Sequence, residues 1–207
     1  VSALLSTFAV FAVGFLMRPL GGIVCGRIAD KKGRKFVLVT TMMLMATGSL
    51  IIGVMPTYES VGVFASAILL FARVLQGFAH GGESATAYSY VGEIAPPNRR
   101  GMWGSVTFIA IFGGSVLAYT LGGAITSTLS ESAVGEWGWR IPFLLGAVLA
   151  LVALYIRRNM EESDVFHEED TADAPEPVDK KVLAKAILLM IGMTSGITAA
   201  HYTWSSY

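Results

Sequence analysis

Charge is what this sequence has least of. Only 14% of its 207 residues are Asp, Glu, Lys or Arg, against about 25% in an average soluble domain. With 54% hydrophobic residues, that deficit excludes an ordinary soluble domain. Lys and Arg balance Asp and Glu at 15 each, so no net basic field points to nucleic acid. Cysteine is nearly absent. Cys25 stands alone, which excludes an internal disulfide and leaves the compartment unread. Histidine is also scarce, and His80, His167 and His201 are scattered. No His/Cys cluster has ligand spacing, so no metal, no cofactor and no catalytic constellation of a membrane enzyme is expected. No basic segment followed by a short apolar run marks a cleavable signal peptide. A start at Val1 inside an apolar run leads us to expect further residues upstream.

What is present is apolar length. A hydrocarbon core of about 30 Å needs about 20 apolar residues in a helix. Stretches at about 3–26, 36–55, 63–93, 101–128 and 140–157 meet this, and a sixth runs from Val182 to Tyr207. The expectation is an all-α membrane protein with about six spans. The 23 glycines suit closely packed transmembrane helices. Gly77, Gly81 and Ala85 form one small-residue ridge, and Ala110, Gly114, Ala118 and Gly122 form another. Both read as helix packing.

The basic residues alternate sides. Arg27, Lys31, Lys32, Arg34 and Lys35 fill the first connection, Arg99 and Arg100 the third. Arg157 and Arg158 close the fifth span, and Lys180, Lys181 and Lys185 open the sixth. The intervening connections hold Glu59, Glu131 and Glu136, with Arg140 at their edge. The positive-inside rule then places 27–35, 95–100 and 159–181 in the cytoplasm. Residues 159–181 carry nine acids and the run Ala174-Pro-Glu-Pro177, and read as a solvated linker. The expected division is a helical bundle at 1–158, a linker at 159–181 and a new bundle from 182 to 207.

Charges inside the spans cost at least about 2.5–3.5 kcal/mol each on insertion scales, so they mark function or pairing. Arg73, Gln76, His80 and Glu83 share one helical face, and Tyr90 extends it. Arg18 lies beside Pro19, which removes a backbone donor and favours a kink. Counted from Asp30 and Glu93, Arg18 lies about 18 Å deep and Glu83 about 15 Å. An Arg18–Glu83 salt bridge is therefore geometrically allowed if the two spans are neighbours. Burial disfavours the Glu83 carboxylate while a nearby guanidinium favours it, leaving the group able to bind and release a proton.

The first connection reads Gly26-Arg-Ile-Ala-Asp30-Lys-Lys-Gly33-Arg34-Lys35. This resembles the loop signature of the major facilitator superfamily, with every fixed position present. Gly33 permits a turn with positive φ. Asp30 can cap a helix or pair with a cation. Arg73-Val-Leu-Gln-Gly77 resembles the fourth-helix motif of proton-driven members, and Glu93 with Arg99-Arg100-Gly101 resembles the loop that follows it. Phe15-Leu-Met-Arg-Pro-Leu-Gly-Gly22, Gly81-Gly-Glu83 and Glu136-Trp-Gly-Trp-Arg-Ile-Pro-Phe143 resemble the metabolite:proton symporters, above all the α-ketoglutarate permeases. No proline follows Gly113-Gly114, which suits a symporter better than an antiporter.

The resemblance implies the N-terminal part of a twelve-helix fold, with the family's first helix missing and a midplane site between two halves. It implies import of a small polar metabolite with protons, across a bacterial inner membrane, by alternating access. The alternative of the same fold is a proline/betaine-type osmolyte symporter or osmosensing carrier. Expected partners are the substrate, protons, lipid and the other half of the transporter, not nucleic acid. In that scheme Glu83, Arg73 and His80 couple protons. Arg18, Gln76 and Tyr90 bind substrate, Arg18 because a guanidinium matches a carboxylate bidentately. Gly26, Asp30, Gly33, Arg34, Lys35, Glu93 and Arg100 form a cytoplasmic gate, with Arg34 paired to Glu93.

Overall fold

The structure is a computed structural model that describes residues 2–160, 162 and 180–206. Its regular structure among these residues is all helical: α1 (Ser2–Lys32), α2 (Arg34–Val54), the single turn α3 (Tyr58–Val61), α4 (Val63–Ile94), α5 (Arg100–Thr128), the short α6 (Glu131–Glu136), α7 (Ile141–Arg158) and α8 (Lys180–Ser206). Among the described residues, six helices are long and apolar enough to cross a membrane. They correspond to the six expected spans. Most of the expected linker at 159–181 lies outside the described residues, as does Tyr207. The chain divides into two compact units, Val1–Glu168 and Glu169–Tyr207. Of the second, α8 is a single apolar helix.

The connections are tighter than their composition implies. Only Gly33, at φ 90°, separates α1 from α2, so nearly all of the motif at 26–35 is helical. Gly62, at φ 57°, turns the chain from α3 into α4. The Ser- and Glu-rich stretch after α5 folds into α6, where the Ser130 hydroxyl accepts from the Ala133 amide. A 3₁₀ turn at Gly138–Arg140 follows, and Arg140 donates to the Met55 carbonyl at 2.9 Å. That bond satisfies a carbonyl just past the end of α2. α1 continues unbroken through Pro19.

In hydrocarbon there is little hydrophobic drive between helices, so close van der Waals packing has to hold them. α1 and α4 meet this demand by backbone contact. A Cβ added at Gly77 would overlap the Gly14 carbonyl, and one at Gly81 would overlap that of Arg18. The two contacts advance together along both chains, so α1 and α4 run parallel. α2 packs against both α4 and α7; near its end Ile52 and Met55 meet Ala65 and Ala72 of α4, and near its start Val37 meets Cys25 and Ala29 of α1. α5 is different. It is largely exposed, and a Cβ at Gly114 or Gly122 would meet nothing within 4 Å. The first small-residue ridge therefore packs; the second has no neighbour among the described residues.

Gly81→Ala is expected to force α1 and α4 apart and cost about 1–3 kcal/mol by overpacking. Gly122→Ala should change stability by no more than about 0.5 kcal/mol. Thermal unfolding of both variants in detergent checks this, and equal losses would contradict the packing described.

Candidate functional site

The polar stripe of α4 divides into two environments. Its upper part opens on a cavity of about 390 Å³ between α1, α2 and α4. Arg18, Arg73, Gln76 and His80 line it, with Phe11 and Phe15 as its apolar wall. The Arg18 guanidinium lies 4.1 Å from the Phe15 ring centre. That of Arg73 lies 5.0 Å from Phe11 and 5.9 Å from Phe143. Each ring offers its negative face to the cation. Arg73 Nη1 also donates to Gln76 Oε1 at 3.3 Å, and Gln76 Nε2 donates to Ser49 Oγ at 3.1 Å. Gln76 is thus held with its amide oriented, and Arg73 with it. Neither Arg18 nor Arg73 has a carboxylate partner among the described residues.

Glu83 lies outside the cavity lining, and so does Tyr90. The allowed Arg18–Glu83 bridge is not formed. Glu83 Oε1 accepts from Arg157 Nη2 at 2.7 Å, and Arg157 Nη1 donates to the Leu38 carbonyl at 3.3 Å. The physical reason is a competing partner at the end of α7. α4 has 32 residues and is about 48 Å long, so it overshoots the hydrocarbon. Counting from Glu93 therefore overstates how deep Glu83 lies. Its neighbour Gly82 packs against Thr41, seven residues into α2 and so about 10 Å from that helix's start. At that level the end of α7 is within reach.

The cytoplasmic cluster matches its expected pairing. Arg34 Nε donates to Glu93 Oε1 at 3.0 Å, and Arg34 Nη1 to Asp30 Oδ1 at 2.5 Å. Gly26, Asp30 and Arg34 border a small cavity of about 60 Å³ beside Thr86. Arg100 is exposed at the start of α5 and joins none of these contacts. One member was not anticipated. Glu162, expected in a solvated linker, accepts from the backbone amides of Arg34 at 2.8 Å and Lys35 at 3.1 Å. It satisfies the first amides of α2, which Gly33 has no side chain to cap. Asp30 does not cap; it pairs. The signal for Glu162 was the need itself: a helix starting after glycine wants an acid, and Glu161 and Glu162 are the first acids after the fifth span on the same side.

A family model described as "Sugar (and other) transporter" matches residues 2–187. The chain is 42% identical over 207 residues to the alpha-ketoglutarate permease of Escherichia coli K12, covering 99% of this chain and 47% of the permease. It is 48% identical over 205 residues to a putative proline/betaine transporter of Staphylococcus haemolyticus, covering 97% of this chain and 44% of that one. The chain thus spans a little under half the length of these relatives. The fold resembles the major facilitator superfamily proton:xylose symporter XylE, with a TM-score of 0.70 over 77% of this chain and 36% of XylE at 22% identity.

The cytoplasmic cluster predicts an order of losses. Glu162→Ala leaves two amides of α2 uncapped and should cost about 1 kcal/mol. Arg34→Ala leaves Asp30 and the mostly buried Glu93 uncompensated and should cost more, up to about 3 kcal/mol. Melting curves of the two variants decide it; a larger loss for Glu162→Ala would contradict the central place given to Arg34.

Proposed function

The chain belongs to the sugar (and other) transporter family of the major facilitator superfamily, and on that premise we propose that it forms the N-terminal part of a proton-coupled symporter importing a small organic acid such as α-ketoglutarate. It is a multi-pass protein of the bacterial plasma membrane, with its basic connections on the cytoplasmic side. In this scheme the cavity is one wall of a site completed by the facing half, and alternating access opens it to each side in turn.

One observation carries the choice of substrate: the two guanidiniums in the cavity wall, Arg18 and Arg73, have no carboxylate partner among the described residues. A cation held within a span needs an answering charge, and a substrate carboxylate supplies it through paired hydrogen bonds. Proline and betaine bring one carboxylate together with a cation, so they answer two guanidiniums less completely than a dicarboxylate does. The relative of Staphylococcus haemolyticus keeps the osmolyte class as the second reading.

Importing an anion into a negative interior is opposed by about 2.3 kcal/mol per charge per 100 mV. Protons carried inward offset that cost. His80 is the imidazole that lines the cavity, so we assign it the coupling proton, its charge answered by the substrate carboxylate. Gln76 orients the substrate beside Arg18. Tyr90, outside the cavity, receives no role in binding. The cluster of Asp30, Arg34, Glu93 and Glu162 latches the cytoplasmic side.

The deciding experiment is an uptake panel with the intact transporter: dicarboxylates, tricarboxylates, proline, betaine and shikimate, with and without a protonophore. A dicarboxylate should accumulate, and the protonophore should abolish accumulation. Arg18→Ala should raise the KM for the anion at least about tenfold, the worth of one charged hydrogen bond. His80→Gln should lose accumulation but keep exchange of labelled substrate. Saturable proline or betaine uptake that dicarboxylates do not inhibit would replace the organic-acid assignment with the osmolyte one.

A further inference from the structure

The pair Glu83–Arg157 belongs to neither the cavity lining nor the cytoplasmic cluster. Both side chains are mostly buried, at 20% and 22% exposed, and Arg157 ties α7 to α4 and α2 at once. Such a pair invites a reading as a simple clasp. Its position relative to Arg18 says more. The Arg18 backbone packs on Gly81, two residues before Glu83, so the two groups lie at one level of the bundle. His80, which lines the cavity with Arg18, lies three residues before Glu83 on α4, about one helical turn away. Glu83 is therefore the carboxylate of α4 placed to compete for Arg18. Were it free, its charge would fill the role that a substrate carboxylate must fill.

We propose that Arg157 is a positioning residue that sequesters Glu83 and so keeps Arg18 unpaired for an anionic substrate. The proposal rests on the organic-acid assignment above. Arg157 is suited to it. Its Nη2 takes Glu83 while its Nη1 is anchored on the Leu38 carbonyl, so the pair is held at a fixed place away from the cavity. A buried carboxylate stripped of its partner is strongly driven to find another cation, and Arg18 is the nearest in height. Arg157 acts through Glu83 and touches no substrate.

The test is a set of variants in the intact transporter, read as KM and maximal rate for a dicarboxylate and as direct binding of that dicarboxylate. Arg157→Gln should raise KM about tenfold or more, by converting Arg18 into an internal ion pair. Glu83→Gln should bind the anion as tightly as the parent or tighter. Arg157→Gln/Glu83→Gln should return KM to near the parental value, because the competing carboxylate is gone. In an Arg18→Ala background, Arg157→Gln should raise KM no further, since the residue it protects is absent. A double variant as weak as Arg157→Gln alone would overturn the proposal and leave a clasp. Weaker binding by Glu83→Gln would overturn it as well, and this variant decides the matter if Arg157→Gln does not reach the membrane. If the parent protein binds no anion in the panel, the organic-acid assignment itself fails; parental binding with disobedient variants sinks only the role of Arg157.

Discussion

The cavity of the first unit is placed by the contact between the backbones of α1 and α4. Gly77 and Gly81 have no side chain to hold the helices apart, so the carbonyls of Gly14 and Arg18 rest directly on them. This approach fixes the register of α1 against α4. That register carries Arg18 to the level of Gly81 and opens the cavity beside Arg73, Gln76 and His80. A methyl group at either glycine would change where the charges sit before it changed which charges are present.

Given that register, the charged groups sort by environment. Outside the cavity three acids have a cation: Asp30 and Glu93 share Arg34, and Glu83 has Arg157. In the cavity the balance reverses, and two guanidiniums rest on aromatic rings with no acid opposite among the described residues. Cation–π contacts of about 0.5–2 kcal/mol do not match the cost of holding a cation at depth. The cavity is thus electrostatically incomplete in a way that the cytoplasmic cluster is not.

The spans, the polar stripe of α4 and the Arg34–Glu93 pair were legible because they depend on local periodicity or on a contiguous motif. The partner of Glu83 was not. Arg157 lies 74 residues away and reads as a boundary charge, and only the packing of α7 against α2 shows that its side chain reaches inward. Glu162 was hidden for a related reason. Composition averages over a segment, and one acid among nine can be ordered while its surroundings read as solvated. The two small-residue ridges look alike in sequence, yet only the first meets a neighbour, because spacing describes a helix face and not what lies opposite it.

The single-residue break at Gly33 has a mechanical side. A connection of several residues would absorb a shift of one helix without passing it on. One residue has almost no compliance, and here its flanks are clamped as well, by Arg34 on Asp30 and by Glu162 on the first amides of α2. α1 and α2 therefore form a stiff lever whose fulcrum is at the cytoplasmic end. A small rotation there is magnified along about 30 Å of α2, roughly its full length. Displacements of an ångström among Asp30, Arg34 and Glu162 become movements several times larger at the opposite face.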